Sequence, residues 1–226
     1  MGRLSHVALE LAYHAPFTAL GTAIGMALVW ALALHAYVGA VGEGAFHALH
    51  AVHILLSAMV TAAVYRRHGA DYVKALAVGV AGSVPICSVS DVAIPFLGGR
   101  LLGLEGLELH ICLLMHPQIP LASALLGSVV GAWLSTKIED PDLVPHGGHV
   151  MVSVMASLLY LASFTPSFEA VMAAHLPQIF AIVFIAVLAP CCTSDIVIPI
   201  AALPSHLGAR RLDGHGWLRR VRRRVG

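Results

Sequence analysis

Charged side chains are scarce in this chain. They make up 11% of its 226 residues, whereas 58% of the residues are hydrophobic and the mean hydropathy is +0.85. A soluble globular domain carries about a quarter charged residues. The composition therefore excludes an ordinary soluble domain and predicts a polytopic membrane protein.

Cysteine is also scarce, and all four cysteines fall within apolar stretches. Because the sequence has no evenly spaced cysteines outside those stretches, we expect no structural disulfides of the secreted kind. The chain also lacks zinc-finger ligand spacing, an HExxH motif, a Cys-x-x-Cys pair and a haem-attachment sequence. Its first residues lack the basic region, short apolar core and cleavage site of a signal peptide, so we expect Met1 onward to belong to the mature protein.

Long apolar runs are the main feature that is present. A helix that crosses a bilayer needs about 20 predominantly apolar residues. Six such runs can be placed, at residues 15–37, 46–65, 75–97, 110–135, 149–164 and 177–202. We therefore predict an all-α protein with one transmembrane domain over residues 1–205, followed by a basic cytoplasmic tail over residues 206–226.

The basic residues predict the orientation of these spans. With both termini in the cytoplasm, 12 of the 13 Lys and Arg residues lie on the cytoplasmic side, and Arg100 alone lies on the other. This bias follows the positive-inside rule and predicts an integral protein of a bacterial inner (plasma) membrane. The tail after His206 then contacts the anionic lipid surface, and we expect no nucleic acid as a partner.

One short motif occurs twice, at residues 84–95 (VPICSVSDVAIP) and 188–199 (LAPCCTSDIVIP), with an offset of 104. The identical positions share the spacing of a single helical face. They are Cys87, Ser90, Asp91, Ile94 and Pro95 in the first copy, and Cys191, Ser194, Asp195, Ile198 and Pro199 in the second. A carboxylate within an apolar span is costly and usually serves a function.

A second set of polar residues repeats at an offset of 96 and again follows one helical face. The pairs are His50 and His146, His53 and His149, Ser57 and Ser153, and Thr61 and Ser157. The repeat unit is then three spans, over residues 1–100 and 104–205. Because a unit with an odd number of spans places its second copy upside down, the chain resembles the 3+3 inverted-repeat architecture of many secondary transporters.

Prolines flank both copies of the motif, at Pro85, Pro95, Pro190 and Pro199. Proline lacks the backbone donor and obstructs the preceding turn. We therefore expect helices 3 and 6 to be bent or broken beside the Cys and Asp residues. Broken helices of this kind form the midplane sites of transporters.

Thiol and imidazole side chains at such a site favour Zn, Ni, Co, Cd or Cu over Mg or Ca. The predicted ligands are Cys87, Asp91, Cys191, Asp195, His53 and His149, with one His and one Asp on each side of the two thiols. The predicted supporting residues are Ser57, Ser153, Ser90, Ser194, Cys192, His50 and His146. Because thiols and imidazoles lose protons on binding a metal, we predict a proton-coupled secondary transporter of a divalent transition-metal cation. The metal is cargo, and no tightly bound cofactor is expected.

Two other classes of function stay open. One is a membrane redox protein, which would bind haem b between histidines or relay electrons through Cys87, Cys191 and Cys192. The other is a proton- or cation-coupled transporter or channel for a non-metal solute, in which the thiols are passive. An enzyme is not expected, because the sequence places no nucleophile beside a base. Glycine pairs four residues apart, at Gly21 and Gly25 and at Gly127 and Gly131, predict close helix packing within the chain or in a homodimer.

Overall fold

The computed structural model describes residues 3–34, 37–68, 71–104, 106–135 and 143–203, and these residues form helices joined by loops. The helices are α1 (Arg3–Leu34), α2 (Tyr37–Arg67), α3 (Tyr72–Ser88), α4 (Ile94–Leu101), α5 (Cys112–Met115), α6 (Gln118–Leu134), α7 (Leu143–Ser163), α8 (Phe168–Cys192) and α9 (Ile198–Ala201). Two five-residue π-helical segments join them, π1 (Val89–Ala93) between α3 and α4, and π2 (Thr193–Val197) between α8 and α9. The all-α prediction is confirmed for the described residues. The basic tail at residues 206–226 lies outside them.

Within the described residues, four stretches are long and apolar enough to cross a membrane, and they indicate a membrane protein. They are Ala15–Leu34, Gly42–Arg67, Tyr72–Leu101 and Phe168–Ala201. The predicted fourth and fifth spans correspond to shorter apolar helices over Gln118–Leu134 and Gly148–Ser163. Both apolar stretches are shorter than the length of about 20 residues that a perpendicular span requires, although the whole of α7 has 21 residues.

The outer faces of α1 and α6 are apolar. The large exposed side chains on these helices recur every three or four residues, so each set forms a stripe along one face. On α1 they are Phe17, Leu20, Ile24, Leu28 and Leu32, and on α6 they are Leu121, Leu125, Val129 and Trp133. Polar side chains, in contrast, are buried inside the bundle, notably along α2 and α7. This arrangement, apolar outside and polar inside, suits a protein surrounded by lipid.

Both predicted glycine pairs pack inside the chain. A Cβ atom added to Gly127 or Gly131 on α6 would collide with the backbone carbonyl groups of Leu55 and Met59 on α2. A Cβ atom added to Gly25 on α1 would lie 2.6 Å from a methyl group of Val154 on α7. Small residues thus allow α6 to approach α2 and α1 to approach α7 closely. Because these faces are used internally, they offer no support for the predicted homodimer, which stays a prediction.

The α-helices are interrupted beside the repeated motif, as expected, but the backbone does not leave the helical path there. Pro85 lies inside α3 and Pro190 inside α8, while Pro95 and Pro199 occupy the first turns of α4 and α9. The chain remains helical through both motifs, and the disturbance takes the form of π1 and π2. A π segment absorbs one extra residue in a widened turn without ending the helix.

Candidate functional site

The two buried carboxylates lie at equivalent points of the two π segments. Asp91 is the third residue of π1 and Asp195 is the third residue of π2, and each is 0% exposed. The widened turn in π1 is closed by the backbone N–H of Ile94, which donates to the carbonyl of Val89 five residues earlier. Single-turn π segments occur frequently at functional sites. Here they set both carboxylates towards α2 and α7.

Proline explains why each widened turn needs a side chain from another helix. Pro95 has no N–H, and the N–H of Ile94 is already bound to Val89, so the carbonyl of Ser90 loses its usual helical donors. The hydroxyl of Ser157 on α7 donates to that carbonyl at 3.3 Å. The hydroxyl of Thr61 on α2 donates in the same way to the carbonyl of Ser194, at 3.1 Å.

Each carboxylate contacts imidazole at its Oδ2 atom. Oδ2 of Asp91 lies 2.7 Å from Nδ1 of His53 and 2.8 Å from Nδ1 of His50. Oδ2 of Asp195 lies 2.8 Å from Nδ1 of His149. Because a carboxylate only accepts, Nδ1 carries the proton in each ring. When a ring is neutral, its Nε2 atom therefore presents a lone pair.

Each carboxylate accepts a hydrogen bond from a serine of the other repeat unit. Ser153 on α7 donates to Oδ1 of Asp91 at 3.0 Å, and Ser57 on α2 donates to Oδ1 of Asp195 at 3.1 Å. The two serines also bind the motif serines, with Oγ atoms 2.9 Å apart for Ser153 and Ser90, and 2.8 Å apart for Ser57 and Ser194. Each carboxylate is thus shared between a histidine from its own repeat unit and a serine from the other.

The two imidazoles meet at the centre of this network. Nε2 of His53 lies 2.7 Å from Nε2 of His149. The thiols adjoin the same point, because Sγ of Cys87 and Sγ of Cys191 lie 3.7 Å and 3.8 Å from Nε2 of His53. Two lone pairs at this distance repel each other unless a cation lies between them. The centre can therefore hold either a shared proton or a metal ion.

The ligand spacing is close to that of a tetrahedral metal site. Bond lengths of about 2.0–2.1 Å to nitrogen and 2.3 Å to sulfur place tetrahedral ligands about 3.3 Å apart for two nitrogens, and about 3.6 Å apart for nitrogen and sulfur. The observed nitrogen-to-sulfur distances of 3.7 and 3.8 Å agree with this, whereas the two nitrogens, at 2.7 Å, would have to separate by about half an ångström. The ligand atoms of His53, His149 and Cys191 all lie within 4.8 Å of one another.

Comparison with models of known protein families found no match. Comparison with curated proteins and with solved structures found none either. Inferences about function must therefore come from the chemistry of the site.

The structure brings all six predicted ligands into one buried cluster, together with most of the predicted supporting residues. Those supporting residues are Ser57, Ser153, Ser90, Ser194 and His50. The side chains of Cys192 and His146 lie outside the described part of the chain. One expectation differs from the structure, because the sequence placed one histidine on each side of the thiols, whereas the two rings touch.

Sequence reasoning missed two features of this region. His50 binds the same carboxylate oxygen as His53, although its position on the face of α2 indicated only a supporting role. A second group of metal-binding side chains, His47, His110 and Cys112, lies nearby. His47 and Cys112 correspond to Leu143 and Ala8 at the offsets of 96 and 104, so the repetition of side chains that identified the central cluster could not identify this group.

Proposed function

We propose that this chain is a secondary transporter for a divalent transition-metal cation of the Zn, Ni, Co, Cd or Cu class. The observation that carries the proposal is the pair of facing Nε2 atoms of His53 and His149, with a carboxylate behind each ring and a thiol beside them. A carboxylate at the second nitrogen of a ligating histidine is the usual arrangement in metal sites, because it orients the ring and raises the basicity of the ligand.

Paired contacts support an inverted 3+3 repeat as the architecture. The contact of Ser157 with the carbonyl of Ser90 has its equivalent in that of Thr61 with Ser194, and the Ser153–Asp91 contact has its equivalent in Ser57–Asp195. The equivalent residues are related by the same offsets that relate the two halves of the sequence. In this architecture, spans four and five contain the two shorter apolar stretches, Gln118–Leu134 and Gly148–Ser163. Both termini face the cytoplasm of a bacterial inner membrane.

The cluster also provides a reason for coupling to protons. An ion that enters between the two Nε2 atoms must displace any proton held there, and a thiol must lose its proton to become a ligand. Movement of metal one way then drives protons the other way. Rocking of the two repeat units about the central site would expose it to one side of the membrane at a time.

The test is metal binding and transport by the purified protein. Isothermal titration of Zn(II), Co(II), Ni(II), Cd(II) and Cu(II) into protein stripped with a chelator in detergent should give saturable binding of at least one ion. Variants His53→Ala and His149→Ala should each lose that binding. The matched control is His68→Ala, because His68 binds the carbonyl group of Val64 near the end of α2. Absence of binding for all five metals would refute the proposal.

A second candidate function is a proton-coupled transporter of a non-metal solute. It is favoured by the continuous row of Asp91, His53, His149 and Asp195, in which each neighbour lies within 2.8 Å and which could pass a proton along its length. In proteoliposomes with a pH-sensitive dye inside, proton flux that needs no added metal and survives replacement of Cys87 and Cys191 by Ser would favour this function. Proton flux only in the presence of metal would favour the first.

The haem alternative gains no support from the central pair. A bis-histidine haem needs a porphyrin ring between the two ligating nitrogens. The 2.7 Å between Nε2 of His53 and Nε2 of His149 leaves no room for it. A Soret band on the purified protein remains the direct test.

A further inference from the structure

A second cluster of metal-binding side chains lies towards the beginning of α2, outside the central site. It joins His47 on α2, His110 in the loop before α5, and Cys112 at the start of α5. Their ligand atoms all lie within 4.8 Å of one another, and Sγ of Cys112 is 3.4 Å from Nδ1 of His47. Two imidazoles and a thiol form a ligand set typical of zinc and related ions.

The surrounding structure fixes the positions of these ligands. The hydroxyl of Tyr160 on α7 donates to the carbonyl of Glu108, two residues before His110, and so holds the loop against the bundle. The ring of Phe164 stacks on His110 with ring centroids 5.2 Å apart. Cys112 is buried, whereas His47 and His110 are half-buried, so the cluster lies at the edge of the protein interior. Ligands held in advance lose less entropy when they bind an ion.

Two buried nitrogen atoms point to a ligand in this region. Nε2 of His50 and Nε2 of His110 are both buried and have no hydrogen-bond partner among the described residues. His50 is 2% exposed, and an unsatisfied buried polar atom costs about 1–3 kcal/mol. Such atoms need a partner, and a bound ion or an ordered water molecule can supply it.

A small open cavity lies beside this cluster. His47, Cys112 and His116 line the cavity together with His50. Nδ1 of His50 binds Asp91 of the central site. His50 therefore borders both the cavity and the central site.

We propose that His47, His110 and Cys112 form a second transition-metal site, which exchanges its ion with the central site past His50. This proposal builds on the proposed function but makes a separate claim about separate residues. The exposed carboxylate of Glu43 lies 3.8 Å from Nε2 of His47. It adds negative charge beside the second site and would attract cations.

Two of the three ligands of the second site have no counterpart in the other half of the sequence. At offsets of 96 and 104 the sequence has Leu143 in place of His47 and Ala8 in place of Cys112, whereas His110 corresponds to His6. A carrier with an additional metal site near one membrane surface would bind the ion differently from the two sides of the membrane. In the orientation predicted by the basic residues, the second site lies on the same side of the membrane as Arg100, opposite the cytoplasm.

Cobalt binding tests the second site independently of the first. Co(II) replaces Zn(II) in tetrahedral sites and gives a near-ultraviolet charge-transfer band when a thiolate is bound. We expect the purified full chain to bind about two Co(II) ions, and the double variant His53→Ala with His149→Ala to retain about one, with its thiolate band. Adding Cys112→Ser to that double variant should remove the band, whereas adding His68→Ala should not.

The outcomes separate the two proposals. Loss of all Co(II) binding in the double variant, with a normal circular dichroism spectrum and normal gel-filtration elution, would overturn the second site and leave the central one standing. A retained thiolate band that Cys112→Ser does not change would also overturn it. A Cys112-dependent band in the double variant, together with no loss of ions relative to the unmodified protein, would support the second site and refute the central one.

Discussion

Replacement of Asp91 by Asn tests how the central site is built. The Asn side chain has nearly the same shape, but it is neutral, and its amide nitrogen cannot accept from the imidazole N–H groups that Asp91 binds. If the amide oxygen keeps the bond from Ser153, its nitrogen faces the Nδ1–H groups of His50 and His53, at the 2.8 and 2.7 Å positions of Oδ2. His53 must then change tautomer, which puts a proton on the Nε2 atom that faces His149.

The magnitude follows from two separate effects. Removing the hydrogen-bond partner of a metal-ligating histidine weakens metal binding by about 10- to 100-fold, or about 1.4–2.7 kcal/mol. Each lost hydrogen bond to a charged group also costs about 1.5–3 kcal/mol of stability. Asp195→Asn should weaken metal binding to a similar degree, because Oδ2 of Asp195 binds the ring of His149.

The assay is calorimetric titration of Zn(II) beside thermal unfolding of the same sample. The matched control is Asp71→Asn, because Asp71 caps the exposed start of α3 by accepting from the N–H of Lys74, and Asn caps helices equally well. The control should bind Zn(II) as the unmodified protein does. A purely structural role for Asp91 would lower the unfolding temperature of Asp91→Asn and leave its dissociation constant unchanged. That result would refute the reasoning.

Four further variants test other features of the bundle. Cys87→Ser and Cys191→Ser should each reduce the preference for Cd(II) over Co(II) in competition titrations, because a soft thiolate is lost; an unchanged preference would make the thiols passive. Gly131→Ala should lower the free energy of unfolding by about 1–3 kcal/mol in denaturant titration, because its Cβ collides with the carbonyl of Met59, whereas Gly44→Ala, with open space around it, should not destabilise the protein. Ser157→Ala should lower stability by about 1–3 kcal/mol, because it leaves the Ser90 carbonyl without its side-chain donor; full stability would count against our account of π1.

The repeated spacing in the sequence identified the central cluster because the same side chains recur at fixed offsets. Asp91 and Asp195 stood out for a physical reason, since a carboxylate in an apolar run is costly and is retained only for a purpose. Spacing alone places residues on a face, however, and does not give the depth at which two faces meet. The direct contact of His53 with His149 therefore could not be predicted.

The form taken by the proline-containing helices also could not be predicted from the sequence. Proline removes a donor, but whether the helix then breaks or widens depends on what replaces that donor. Here Ser157 on a neighbouring helix binds the carbonyl of Ser90, and the turn widens without breaking. His47 and Cys112 are 65 residues apart, and no local pattern connects them.

The crossed serine contacts have a mechanical consequence. Ser153 and Ser57 each bind a carboxylate of the other repeat unit, so any separation of the two units would have to break both hydrogen bonds. A proton that binds Asp91 occupies an oxygen that accepts from Ser153 or from a histidine. It would therefore weaken the contacts of Asp91 and leave those of Asp195 in place. The same proton that competes with the metal ion would then also loosen the contact between the two repeat units at one end of the site.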